Sequence, residues 1–347
     1  MQQNQNLELF VWGKGYNNES FDPFCLSVIT YLTFLNVPFV LNNENNPQLS
    51  PTGTFPFLRD GSTIICGTLN IFNYLKKKGH DLDHHLSSKQ AAESLAYSTL
   101  IEENLHLALL YNWFLETDNY LKNTRPWFSR NYPFVLRYQM PSRLQKNATV
   151  RLSGMRFVDV SGKKTPEVYV EAKNIYENFT KKLGNNEYIF GSKPSSLDAI
   201  LYSHLAIHSY PSLATPTLFS ILTFNFPNLI NYVEKIKTIY FENNWKENLV
   251  TYSPITKNFF LRLLENPKLT ITETFFSNKY TNTNDQKNVA EMELVKAARL
   301  ENFKRLAFVL GSLGFFVGYV LRNDCFSAPI EEEENDDEYD DYYEEEC

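Results

Sequence analysis

Apolar and polar positions fall in short runs over the first eighty residues, and their period switches between two and about three and a half. LELFVW (7–12) predicts a strand, FCLSVITYLTFL (24–35) a helix, and VPFVL (37–41) a second strand. Phe55 to Arg59 predicts a third strand, Asp60-Gly61 a tight hairpin turn, and Thr63 to Cys66 the return strand. TLNIFNYLKKKG (68–79) has helical spacing and ends on lysines and a stop glycine. The order is β-α-β followed by β-β-α. From about Leu86 to Leu264 the pattern is helix-rich. Residues 86–116 predict one long amphipathic helix, along which Leu95, Thr99, Glu102, His106 and Leu109 step turn by turn. Further helices are expected at 167–183, stopped by Gly184, at 195–210, and at 226–240, opened by Pro227.

The last apolar segment differs from all of these. LAFVLGSLGFFVGYVL (306–321) carries no charge, with Lys304 and Arg305 before it and Arg322 after it. As a helix it spans about 24 Å, short of the ~30 Å hydrocarbon core, and the flanking basic side chains can snorkel to make up the difference. A buried core helix is the competing reading, but no folded segment follows that could cover a helix apolar on every side. The run reads as a tail anchor at 304–322, with Leu306, Phe308, Leu310, Gly314, Phe315, Gly318 and Leu321 facing lipid or a neighbouring helix. Its shortness suits the mitochondrial outer membrane better than the thicker plasma membrane. Gly314 and Gly318 form a G-x-x-x-G, which permits close helix packing.

Charge divides across this segment. The net charge of −7 over 347 residues hides an acidic tail. Residues 323–347 hold 13 acids and no Lys or Arg, whereas residues 1–322 hold 33 basic and 27 acidic residues. The mild positive balance of the body does not argue for nucleic acid. Four cysteines (Cys25, Cys66, Cys325, Cys347) show neither metal spacing nor a disulfide framework. MQQNQNLELF lacks the features of a signal peptide or matrix presequence. Residues 266–303 are poor in apolar positions and read as a tether.

The β-α-β-β-α order, with Pro56 just ahead of the third strand, is the thioredoxin-like pattern, in which that proline is cis. Followed by helices, it is the layout of glutathione transferases. The expected fold is α/β plus all-α: a thioredoxin-like domain at 1–80, a helical transferase-like domain at 86–265, the tether, the transmembrane anchor at 304–322 and a disordered acidic tail at 323–347. In GSKPSSLDAILYSHLAI (191–207), Ser195 and Asp198 form an S-x-x-D capping box, which is a folding device and not a catalytic pair. More specific likenesses follow in order: LELFVWGKGY (7–16), NNPQLSPTGTFPFLR (45–59), residues 86–120, and TRPWFSRNYPFVLRYQMPSRLQ (124–145). Together with the S-L-D-A helix and the anchor with its acidic end, they resemble the metaxin family, and within it the metaxin-1 branch. The resemblance implies a subunit of the mitochondrial sorting and assembly machinery. It would lie on the cytosolic side of the outer membrane with its short tail in the intermembrane space. It would help β-barrel proteins into the membrane, and its partners would be the barrel-shaped assembly subunit and a second metaxin.

Transferase chemistry needs a hydroxyl or thiol near the end of the first strand. Tyr16, Ser20 and Cys25 are the candidates. Asp22-Pro-Phe-Cys25 has the C-x-x-C spacing with the first cysteine replaced by Asp22. The acid that would precede Thr68 is replaced by Gly67. The expectation is therefore no enzyme and no cofactor; the alternative is a tail-anchored transferase-like protein with residual glutathione chemistry. GHDLDHHL (79–86) and the His204/His208 pair have metal-capable side chains, read respectively as a solvated linker and as packed core histidines. Arg125, Trp127, Phe128, Arg130 and Arg137 combine arginine with aromatics, the composition of interface cores, and mark 124–145 as a partner-binding candidate.

Overall fold

A computed structural model of the chain describes residues 7–43, 47–132, 137–160, 163–210, 212–243 and 250–252. The first domain is built on strands β1 (Leu7–Val11), β2 (Phe39–Asn43), β3 (Phe57–Asp60) and β4 (Thr63–Cys66) with helices α1 (Pro23–Phe34) and α2 (Thr68–Lys77). β1 pairs in parallel with β2, Leu9 opposite Leu41, and antiparallel with β3, which forms a hairpin with β4. The order β4-β3-β1-β2 is that of a thioredoxin-like sheet. Leu9, Val11, Leu41 and Leu58 are fully buried, and Ile29, Leu32, Ile71 and Leu75 close the core from the helices. The Phe55–Pro56 peptide bond is cis.

β2 begins two residues later than its apolar run. Pro38 has no N–H to give a ladder, so pairing starts at Phe39. A fifth strand joins the open edge of β2: Val250 to Tyr252, the last strand of the chain's described part, lies parallel to Phe39–Leu41. The helical segment thus returns to the first domain's sheet.

The second domain runs from α3 (Ser88–Leu100) through α4 (His106–Leu110), α5 (Thr117–Asn119), α6 (Arg125–Asn131) and α7 (Met140–Arg151) to the hairpin β5 (Phe157–Val160) and β6 (Lys163–Pro166). It continues with α8 (Glu167–Leu183), α9 (Ser196–His208), α10 (Thr217–Asn225) and α11 (Pro227–Ile236), and Val250–Tyr252 is β7. The expected long helix at 86–116 is helical from Ser88 to Leu115, with widened π turns at Ile101–Leu105 and Tyr111–Leu115. α9 is buried on all sides and packs along α1, where Thr30 and Ser203 hydroxyls meet at 3.4 Å. Among the described residues no helix is long and apolar enough to cross a membrane. The anchor residues Leu306 to Leu321, the tether and the acidic tail lie outside the described residues.

Candidate functional site

The place where transferase-like chemistry would sit is the loop between β1 and α1. Gly15 and Asn18 exchange backbone N–H···O bonds of 3.2 and 3.0 Å around a tight turn. Its central residues, Tyr16 (φ 53°) and Asn17 (φ 58°), are both left-handed. Asparagine tolerates that conformation; a tyrosine held there stores strain of roughly 1 kcal/mol, sustained only by surrounding contacts. Those contacts are aromatic. The Tyr16 ring lies 4.3 Å from Tyr210, 5.3 Å from Trp113 and 6.4 Å from Trp127, all in the helical domain. Phe21 meets Trp127 at 3.8 Å and Phe128 at 5.3 Å. Trp12 reaches Phe55, beside the cis bond, at 5.0 Å and Tyr132 at 5.5 Å. Gly15 fits because a Cβ there would sit 2.7 Å from the Phe21 Cβ. Rings from both domains thus fill the space above the end of β1, with tilted and edge-to-face contacts that aromatic pairs favour.

Of the candidate nucleophiles, Tyr16 lies within this layer and Ser20 and Cys25 are buried beneath it. Cys25 is 0% exposed, and burial, with the Asp22 charge beside it, pushes its thiol well above the usual range. A buried neutral thiol of this kind is inert at physiological pH. Asp22 accepts from the Cys25 N–H at 2.9 Å and caps α1; burial raises its carboxyl to about 6, against the pull of that bond. Ser20 is buried and its Oγ accepts from the Asp22 N–H at 3.3 Å. Burial, then Tyr210, raises the Tyr16 phenol far above its ordinary value. Thr68 donates to the Phe24 carbonyl at 3.5 Å, and Gly67 starts α2 without a side-chain cap. Next to the turn is a cavity of about 30 Å³ lined by Asn17, Asn18, Glu19, Leu26, Tyr202, Lys237 and Phe241. It has room for about one water.

The capping box, the linker aspartates and the His204/His208 pair have structural partners. Ser195 caps α9, and Asp198 accepts from the Ser195 N–H (2.9 Å), the Ser195 hydroxyl (2.6 Å), the Ile189 N–H (2.9 Å) and the Tyr232 hydroxyl (2.9 Å). In the linker, Asp83 accepts from the Ser196 N–H at 2.8 Å and its hydroxyl at 2.7 Å. Asp81 pairs with Lys76 at 3.1 Å and accepts from the Asp83 N–H at 2.9 Å. The linker is thus a clamp on the start of α9, and its carboxylates are committed to protein groups. The Nδ1 of His204 meets the Ile200 carbonyl at 3.0 Å and that of His208 the Tyr176 hydroxyl at 2.6 Å. Burial lowers His204 to about 4 and holds His106 and His208 well below the usual imidazole range.

Residues 25–145 match the family model of outer mitochondrial membrane transport complex proteins, and residues 172–236 match that of the glutathione S-transferase C-terminal domain. Metaxin-1 of Mus musculus is 33% identical over 246 residues, covering 70% of this chain and 77% of that protein. The chain belongs to the metaxin family. Metaxin-3 of Xenopus laevis is 34% identical over 58% of this chain and 66% of that protein. The metaxin-1 homologue of Drosophila melanogaster is 31% identical over 66% and 71%. A solved glutathione transferase from Phanerochaete chrysosporium aligns at 12% identity over 68% of this chain and 98% of its own, with a TM-score of 0.45.

Within this metaxin-family chain the arginine-aromatic segment divides. Phe128 is 5% exposed and half-buried Trp127 packs on Phe21, so both rings join the interdomain layer. Arg125 and Arg130 are exposed on α6, and Arg137 is half-buried with its carbonyl accepting from Ser129. Tyr16 is among the sequence candidates; the residues missed in the sequence are the rings that pack around it and β1, Trp12 and Tyr210. A tyrosine beside Asn17 between Gly15 and Asn18 carried the turn signal, but nothing local marked its partners 97 and 194 residues away.

Proposed function

We propose that this chain is a non-enzymatic subunit of the mitochondrial outer-membrane sorting and assembly machinery, helping β-barrel proteins enter the membrane. In this reading residues 306–321 anchor it, the body faces the cytosol and residues 323–347 reach the intermembrane space. Its partners are the barrel subunit of that machinery and a second metaxin. The transport-complex match over residues 25–145 and the metaxin relatives support the outer-membrane setting. The observation that carries the non-enzymatic part is the aromatic layer. Tyr16, Trp12 and Phe21 join Trp113, Trp127 and Phe128 where a thiol-bearing substrate would have to lie, above a Cys25 that has no exposure. A fold emptied of its chemistry in this way is free to serve as a contact scaffold.

The test uses tagged full-length chain in mitochondria lacking the endogenous protein. Mild detergent extraction followed by mass identification should recover an outer-membrane barrel subunit. β-barrel precursors imported in vitro should assemble more slowly without the chain. Recovery of no barrel subunit, together with unchanged assembly, overturns the reading.

A further inference from the structure

We propose that the exposed face formed by α7 and the β5–β6 hairpin is a docking surface for an anionic lipid bilayer. It rests on the membrane attachment proposed above, which would bring a bilayer to the body. Charge concentrates here. Residues 140–164 hold six Lys or Arg and one acid, Asp159, while the rest of residues 1–322 hold 27 basic and 26 acidic. The mild positive balance of the body is therefore local.

α7 turns one face inward and the other out. Pro141 and Ala148 are buried, as is Leu152 just beyond the helix. On the opposite face Lys146 and Arg143 are exposed one and two turns before Val150, itself 64% exposed. The chain then passes exposed Arg151 and Arg156 into β5, where all four positions are open and Phe157 is 58% exposed. Among the described residues β5 pairs only with β6, in a two-stranded sheet tied at its base by the Glu167 N–H to the Arg156 carbonyl at 2.9 Å. A two-stranded hairpin is marginal alone, and the exposed apolar side chains clustered on β5 mark a contact surface. The mixture decides which kind. Basic groups flank the apolar side chains; Phe157 points to one side of β5 and Val158 and Val160 to the other, so β5 can enter the headgroup region edge-on while guanidinium and ammonium groups meet phosphates.

The experiment reconstitutes the full chain in phosphatidylcholine vesicles, with and without phosphatidylserine, and reads backbone hydrogen exchange. Expected is at least tenfold slower exchange over residues 140–160 with the anionic lipid only, relieved by raising salt because exposed charges are screened over ~8 Å at physiological ionic strength. The variant Arg143→Gln/Lys146→Gln/Arg151→Gln/Arg156→Gln should lose that protection, and Phe157→Ser/Val160→Ser should weaken it, while α1 and α9 keep theirs in both. Equal exchange in the two vesicle types overturns the proposal. So does protection by an added peptide of residues 331–346 in neutral vesicles with none from anionic lipid, which would assign the face to an acidic protein segment. Carbonate extraction of the same vesicles reads the anchor separately. If carbonate strips the chain, the anchoring fails, and vesicles added to the unanchored chain from outside still decide the docking by the same exchange.

Discussion

Two helices of this chain hold an aspartate at their start, Asp22 as the cap of α1 and Asp198 three residues after the Ser195 cap of α9, and the two carboxylates are held very differently. At α9, Asp198 gathers four bonds from three residues, and α9 is the buried axis of the molecule. At α1, Asp22 caps through the Cys25 amide at 2.9 Å, under a strained turn and an aromatic layer. Burial raises both carboxyls, but Asp198 is compensated on all sides whereas Asp22 is driven to about 6. The difference separates a fully satisfied capping box from a lone cap at the position where a thioredoxin-like helix could have carried a reactive thiol. Asp22 holds the cap there.

The comparison predicts the largest effect at α9. Asp198→Ala leaves two backbone amides and two hydroxyls without their acceptor in a dry site. The loss should be roughly 3–5 kcal/mol, seen as a large drop in the urea midpoint of the full chain in mild detergent. A loss below about 1 kcal/mol would mean that the four bonds are not held in solution.

Next comes the packing above α1. Gly15→Ala places a methyl against the Phe21 Cβ at 2.7 Å, too close for any real pair, and should cost roughly 1–3 kcal/mol by overpacking. Phe21 ring contacts to Trp127 would loosen with it, so near-ultraviolet circular dichroism should change while far-ultraviolet signal persists. If both stability and the aromatic signal are unaltered, the turn can shift and the cleft is not filled as described.

Asp22 supplies a smaller effect with a defined pH dependence. Its folded-state carboxyl titrates near 6, above the ordinary aspartate value of 3.8. Folding therefore binds a proton: the protonated form stabilises the fold below about 3.8, and this contribution is lost as pH rises through 6. Asp22→Asn keeps an acceptor for the Cys25 amide and cannot ionise. The variant should gain on its parent between pH 4 and pH 7, by roughly 1–2 kcal/mol after allowing for the partial exposure of the carboxylate. The buried histidines have the opposite sign. His204, lowered to about 4, favours the fold above 6.5 and loses that contribution as pH falls toward 4. Comparing variant and parent at the same pH cancels it.

How much of this was legible depended on range. The Ser195–Asp198 box, the Asp60-Gly61 turn and the proline before β3 are signals within a few residues, and each is where the pattern put it. The donors that complete Asp198, Ile189 and Tyr232, lie 9 and 34 residues away and leave no local mark. The β5–β6 hairpin had a signal that went unread: Phe157, Val158 and Val160 precede Ser161-Gly162, an apolar run before a turn pair. β7 is three residues long and owes its existence to the open edge of β2, so periodicity cannot show it. The inward turn of Trp127 and Phe128 is likewise decided by Phe21 and Trp12, more than a hundred residues earlier.

The smallest expected effect is on ligand binding. If α1 begins with a cap in place of a reactive centre, glutathione has neither a thiolate partner nor a place to lie. Calorimetry with full-length chain in mild detergent should show no glutathione binding in the micromolar range, and Cys25→Ser should leave turnover of a standard electrophile at the uncatalysed rate. In a Cys325→Ser/Cys347→Ser background, a thiol reagent should label half-buried Cys66 first and Cys25 only as the chain unfolds, since Cys25 has no exposure and a raised pKa. Rapid labelling of Cys25 in the folded chain, or micromolar glutathione binding abolished by Tyr16→Phe, would show that the aromatic layer opens. The two aspartates would then differ for another reason: α1 would be a working site whose cleft is closed only at rest.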